Sequence, residues 1–381
     1  MGRKLCCTVL ALMLAIPAFA GADSLTLPQG VTAVEESAFE DCATITEVIL
    51  PEGTAEIGKA AFRGCTALSR VSVPASLQSI GEDAFESCPA DMLFSAATGS
   101  DAARWAMNNN RDFTAGTQYR ALLIGQAYSG DSQLDGPPND VAAMERCLQG
   151  FAGTPYAVTK KSNLDALEIL DAIQSTFGQA SENDVSLFYY SGHGWGSENP
   201  DQTDSEYQGA LVGDDFAIIT ASRLRQAMDK IPGRKILIID SCFSGVHAGN
   251  AKGSRSAKSA ADTAGNGSAD DFVNSFISAF SARKRGNGTY SSYFIMAAAG
   301  EYELSWEYEY GNSQYMGEFT RALTTGSGSG SSLGAADRNM NSVITIQEAF
   351  QYAASCVASA QYPQHAKVYP AGCDWFGWLR K

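Results

Sequence analysis

The stretch DVSLFYYSGHG, residues 184–194, runs an apolar segment straight into a histidine held between two glycines. A short, continuously apolar run closed by glycine reads as a strand covered on both faces. Strands of that kind belong to parallel sheets sandwiched between helices.

A second stretch repeats the arrangement: RKILIIDSCFSG, residues 234–245, runs from an apolar segment into Asp240, Ser241 and Cys242. Around these two lie further strand-like runs, YRALLIG (119–125), YAVTK (156–160) and SSYFIMAAA (291–299). Helix-like segments separate them, NDVAAMERCLQG (139–150), NLDALEILDAIQSTF (163–177) and TASRLRQAM (220–228). In the second helix Ala166, Ile169, Leu170, Ile173 and Phe177 share one face. The expected fold class is α/β, a mostly parallel sheet flanked by helices.

Upstream the texture differs. Pro28, Pro51 and Pro74 are 23 residues apart, as are Phe39, Phe62 and Phe85, and Cys42, Cys65 and Cys88. That period predicts a short solenoid whose turns stack equivalent side chains, with the three cysteines as a buried core ladder rather than metal ligands or disulfides. The segment GSDAARWAMNNN (99–110) reads as its helical cap.

The expected domains are a leader over residues 1–20, a solenoid of three repeats plus cap over 24–115, and an α/β domain over 118–381. Arg3 and Lys4, a short apolar run and small residues at Ala18 and Ala20 make residues 1–20 an export signal, so the expected location is secreted: extracellular, periplasmic or cell surface. No segment is long and apolar enough for an integral membrane span. Removing Arg3 and Lys4 from the 27 basic residues leaves 25 against 42 acidic ones, which disfavours nucleic acid and anionic membrane as partners. Basic peptides suit that charge. Seven cysteines remain after Cys6 and Cys7, an odd number without paired spacing, so no full disulfide framework is expected.

Functional loops of an open parallel sheet leave the carboxyl ends of its strands. His193 and Cys242 both stand just past such ends, a pairing suited to acyl transfer, in which an imidazole takes the thiol proton. The amides of Gly194 and Cys242 are the natural oxyanion donors. His247 and His365 have no ligand or base spacing around them.

The motifs FYYSGHG and IIDSCFSG, 49 residues apart from His193 to Cys242, resemble the histidine and cysteine motifs of caspase-like cysteine peptidases, in the metacaspase form. The repeats resemble BspA-like leucine-rich repeats. The first resemblance implies a caspase-haemoglobinase fold over 118–381, peptide-bond hydrolysis by a His193–Cys242 dyad needing no cofactor, and an acidic pocket for arginine or lysine made by Asp140, Ser191 and Asp240. Asp140 also has a plainer reading, a carboxylate stabilising the start of its helix. The segment 244–292, rich in Ala, Ser, Gly and Asp, is expected to be a flexible linker; Lys252, Arg255, Lys258, Arg283, Lys284 and Arg285 would make it a substrate for self-cleavage.

The stretch DRNMNSVITIQE places Asp337, Asn339, Asn341, Val343 and Glu348 at positions 1, 3, 5, 7 and 12 of an EF-hand-like calcium loop, although Ser342 replaces the turn glycine. Thr345 to Glu348 also reads as a capping box opening a helix. The expected function is a secreted cysteine endopeptidase acting on peptides or proteins, with repeats that bind a protein or glycan. The alternative is an adhesin or interaction protein whose caspase-like half is catalytically silent.

Overall fold

The computed structural model describes residues 23–96, 100–114, 117–181, 183–195, 209–241, 280, 293–299, 305–310, 314–329, 332–360 and 364–381. These divide into two compact units, the first made chiefly of the chain up to Thr117 and the second chiefly of the chain from Gln118 onward.

In the first unit each 23-residue turn contributes one strand to each of two parallel sheets. Strands β1 (Asp23–Thr26), β3 (Ile45–Ile49), β5 (Arg70–Ser72), β7 (Leu93–Ser95) and β8 (Asp112–Thr114) form one sheet. Strands β2 (Ala33–Val34), β4 (Glu56–Ile57) and β6 (Ser79–Ile80) form the other. Between them Phe39, Phe62 and Phe85 stack with ring centroids 5.2 and 5.3 Å apart and planes within 8°. The repeat period thus becomes an aromatic column. Helix α1 (Asp101–Asn108) closes it, with Trp105 set edgewise on Phe85 at 5.6 Å.

The cysteine ladder is present at two rungs. The Cys65 thiol donates to the Phe39 carbonyl and the Cys88 thiol to the Phe62 carbonyl, each at 3.1 Å. Burial pushes the Cys65 thiol up to about 12 and Cys88 up to about 11, which makes both inert. Cys42 departs from the expectation: it is buried but disulfide-bonded, and no other described cysteine takes part in a bridge.

The second unit is built on the expected α/β sheet. Strands β9 (Tyr119–Gly125), β10 (Tyr156–Ser162), β11 (Val185–Ser191), β15 (Arg234–Asp240) and β16 (Tyr293–Ala297) are parallel in the order β10-β9-β11-β15-β16, and Lys367–Tyr369 adds an antiparallel edge. Every residue of β11 and β15 is buried, the apolar centres as a sheet covered on both faces requires and Arg234 and Lys235 with them at the start of β15. Successive side chains point to opposite faces. Phe188, Tyr190, Leu237 and Ile239 share one core with helices α3 (Ala166–Phe177) and α4 (Ala221–Met228). Tyr189 faces the other way and reaches Thr320 of helix α5 (Glu318–Ser327) at 2.6 Å. Helix α2 (Pro137–Gln149) packs against β9 and α5, and α5 also against helix α6 (Ile346–Ala358).

Helix starts follow local chemistry: Asp165 and Glu168 form a capping box on α3, and the Thr220 hydroxyl accepts the Arg223 amide on α4. The expected linker 244–292 is not uniformly loop, since Phe280 is helical, 1% exposed, and set edgewise on Tyr293 at 5.0 Å. The rest of that segment, with its basic residues, and the expected signal over residues 1–20 lie outside the described residues. No helix among the described residues is long and apolar enough to cross a membrane.

Candidate active site

Register decides where the site forms. Ser191 pairs with Gly125 on one side and Asp240 on the other, so three neighbouring strands end level. His193 follows two residues after Ser191. Cys242 follows two residues after Asp240 in sequence and lies outside the described residues, as does His247.

His193 is tightly held. Its Nε2 lies 2.8 Å from the Ser132 carbonyl oxygen, which can only accept, so Nε2 carries the proton and Nδ1 is left with its lone pair. The His193 amide donates to the Tyr128 hydroxyl at 3.1 Å, and that hydroxyl donates to the Val212 carbonyl at 2.8 Å. Tyr128 and His193 have ring centroids 4.5 Å apart. Burial lowers the imidazole below its usual range, opposed only by the Ser132 hydrogen bond, so the ring is neutral at pH 7 and able to take a proton.

The two glycines beside it differ in role. A Cβ on Gly192 would meet Gln126 Cβ and the Tyr190 hydroxyl at 2.9 Å, so packing alone demands glycine there. Gly194 begins β12 (Gly194–Trp195), which pairs antiparallel with β13 (Ala210–Val212). The Val212 amide donates to the His193 carbonyl at 3.3 Å, and ladder alternation then makes Gly194–Leu211 the pair without mutual hydrogen bonds. The Gly194 N–H consequently faces away from β13.

On the opposite face of the sheet, Asp140, Ser191 and Asp240 come together. Ser191 Oγ donates to Asp140 Oδ2 at 2.7 Å, and the Gly317 amide donates to Asp140 Oδ1 at 2.9 Å. Asp240 Oδ1 accepts from Ser305 Oγ at 2.6 Å, while Oδ2 accepts from Thr320 Oγ1 at 2.6 Å and the Thr320 amide at 3.1 Å. Both carboxylates are at most 4% exposed. Burial raises both above the usual carboxylate range, and the nearby Asp240 charge raises Asp140 further.

No Lys or Arg offsets either carboxylate among the described residues. Asp140 is the fourth residue of α2 and the acid of its first turn, as the plainer reading has it, but its carboxylate bonds to Ser191 of β11 and to the Gly317 amide rather than to the helix's first amides. Glu307 adds a third acid, accepting from the Gly136 amide at 2.8 Å and raised chiefly by burial. Ser132, Tyr128, Ser305, Glu307, Gly317 and Thr320 carry no motif visible beside the histidine or cysteine. Sequence distance hid them.

At the expected calcium loop, Asp337 Oδ1 accepts the Asn341 amide and Oδ2 the Ser342 amide, both at 3.2 Å, and Ser342 holds the left-handed φ of 69° that the missing glycine would favour. The Asn341 amide also bonds to Asn339 Oδ1 at 3.1 Å, and Asn341 Oδ1 accepts the Val343 amide at 2.9 Å. Glu348 instead serves the capping box, its Oε2 accepting from both the amide and hydroxyl of Thr345 at 3.0 Å. Among the described residues no three His, Cys, Asp or Glu side chains are grouped to hold a metal. His365 is exposed.

A family model described as Caspase domain matches residues 118–368, and one described as BspA type Leucine rich repeat region (6 copies) matches residues 16–100. Metacaspase-4 of Arabidopsis thaliana is 32% identical over 139 residues, covering 33% of each chain. Metacaspase-1 of Lodderomyces elongisporus is 34% identical over 147 residues, again 33% of each. The chain therefore spans about a third of the length of these curated relatives. Among solved structures, caspase-1 from Spodoptera frugiperda aligns with a TM-score of 0.41 at 15% identity, covering 66% of this chain and 87% of that one. With the caspase-domain match extending over well more than half its length, this chain belongs to the caspase domain family and carries a BspA-type leucine-rich repeat region ahead of that domain.

Proposed function

We propose that the chain is a secreted cysteine endopeptidase that cuts peptide bonds after arginine or lysine, using His193 and Cys242, with the repeats binding a protein or glycan. The observation that carries this reading is the buried pair Asp140 and Asp240, without a cation among the described residues, beside Ser191 on the strand that leads into His193. Two buried acids with no counter-ion are costly, and a guanidinium or ammonium from a substrate would satisfy both.

In this reading His193 Nδ1 takes the Cys242 thiol proton and the sulfur attacks the scissile carbonyl carbon. The oxyanion so formed accepts from the Gly194 and Cys242 amides. The C–N bond then breaks, and the leaving amine takes the proton from His193. Water hydrolyses the thioester, releasing the new carboxyl end and restoring the thiol.

Hydrolysis of matched arginyl, lysyl, aspartyl and asparaginyl reporters by the full chain, beside Cys242→Ala, tests this. Turnover confined to the basic reporters and lost in the variant is expected. Aspartyl or asparaginyl preference would overturn the pocket, and no turnover with the segment 244–292 deliberately cut would favour a binding protein instead.

Weak calcium binding at Asp337, Asn339, Asn341 and the Val343 carbonyl belongs to the same proposal, with Glu348 having to loosen its hold on Thr345. There the ion would order the loop rather than join the chemistry. Calorimetry showing no heat at millimolar calcium would remove it.

A further inference from the structure

Phe216 occupies the turn between β13 and β14 (Ile218–Ile219), and it is one of three large apolar side chains exposed among the described residues, at 53%. Its φ is +59°, a conformation that a bulky side chain rarely adopts and that costs about 1 kcal/mol or more. The turn is nevertheless firmly tied. The Gly213 amide donates to the Ala217 carbonyl at 2.9 Å, the Phe216 amide donates to the Gly213 carbonyl at 3.0 Å, and Asp215 Oδ1 accepts the Ala166 and Ala217 amides at 3.1 and 3.2 Å.

What this turn presents is an aromatic column ending at the histidine. The Phe216 ring stacks on Tyr128 with centroids 5.6 Å apart, and Tyr128 lies on His193 at 4.5 Å. Tyr128 also has a positive φ, +54°, and its hydroxyl is locked between the His193 amide and the Val212 carbonyl. Two aromatic residues in the left-handed region, one beside the imidazole and one in solvent, are maintained against local preference.

The two steps place Phe216 within about 10 Å of the imidazole, the span of about three residues of extended chain. A histidine that protonates a leaving amine must hold that nitrogen within about 3 Å. The residues following the scissile bond therefore pass along the histidine's own surroundings. The acidic pocket lies on the face of α2 and α5, whereas Tyr128 bonds to Tyr190, whose side chain belongs to the opposite face. A peptide crossing the strand ends would put its basic residue on one face and its leaving side on the other.

We propose that Phe216, carried on Tyr128, forms the subsite for the first residues after the scissile bond and selects an apolar or aromatic side chain there. The proposal rests on the peptidase reading above. Asp214 and Asp215 beside it disfavour acidic side chains in the same position.

The test uses internally quenched peptides that share an arginine before the bond and carry Phe, Leu, Gly or Asp after it, with a blocked arginine methyl ester whose leaving group has no side chain. The full chain is expected to favour Phe and Leu over Gly and Asp by about tenfold in kcat/KM. Phe216→Ala should bring the peptides within about twofold of one another and slow the ester less than the Phe and Leu peptides, while Phe216→Leu keeps most of the preference. Equal turnover of all four peptides by the unaltered chain overturns the subsite while leaving the peptidase reading intact. So does a Phe216→Ala variant that slows ester and peptides equally. Failure of ester and peptides alike in the unaltered chain overturns the peptidase reading and the subsite with it.

Discussion

Gly317 shows how finely one residue sets the pocket. A Cβ there would lie 2.4 Å from Asp240 Oδ2 and 3.1 Å from Asp140 Oδ2, so even alanine must displace a carboxylate. Overpacking of this kind costs about 1–3 kcal/mol. Gly317→Ala is expected to raise KM for arginyl reporters about tenfold or more, with a smaller change in kcat, because the proposed pocket gives the displaced acid a part in binding rather than in proton transfer. The pocket's raised carboxylates also give a sign to its pH dependence. A guanidine inhibitor such as agmatine needs them ionised, so its inhibition constant should fall as pH rises from the usual carboxylate range through the raised one. For the free protein the linkage runs the other way: protonated Asp140 contributes stability below the ordinary pKa that is lost as pH rises through the raised value. Asp140→Asn should flatten both trends, measured by inhibition and by denaturant midpoint against pH.

At the scale of elements, the repeat unit is held by a column rather than by any one strand, since its strands run only two to five residues. Phe62 lies fully buried between two parallel rings. Phe62→Ala should cost about 3–5 kcal/mol, and hydrogen exchange should report it as lost protection across residues 23–114. The α/β unit depends on register. A slip of one residue between β11 and β15 would turn Ser191 or Asp240 to the opposite face and dismantle the acidic pocket. Seven buried residues in each strand oppose such a slip.

For the whole molecule, a net charge of −15 surrounds a proposed site for cations. Association with basic peptides should therefore be steered, and kcat/KM for a peptide with several lysines should fall more steeply with added salt than for one with a single arginine. Equal slopes would mean that only the pocket, and not the field of the whole protein, attracts substrate.

The runs ending at Tyr190 and Asp240, the helix faces and the 23-residue period are all local patterns, and local patterns are legible because hydrophobic spacing along the chain is the cause of the element. His193 with its glycine neighbours could be nominated on the same footing, whereas Asp140 and Asp240 were nominated by the resemblance to caspase-like peptidases. The sequence by itself determined the elements, the stacked repeats and the residues able to do chemistry. Tertiary structure alone decided that Asp140 turns from its helix start to Ser191, that Ser132 sets the histidine's tautomer, that Gly192 is demanded by packing, and that Tyr128 and Phe216 line up beyond the imidazole. Each of these joins residues 51 to 88 positions apart or depends on a close approach in space, apart from bonds no spacing rule records. Side-chain hydrogen bonds and ring contacts across such distances exist only after the sheet has brought the strand ends level.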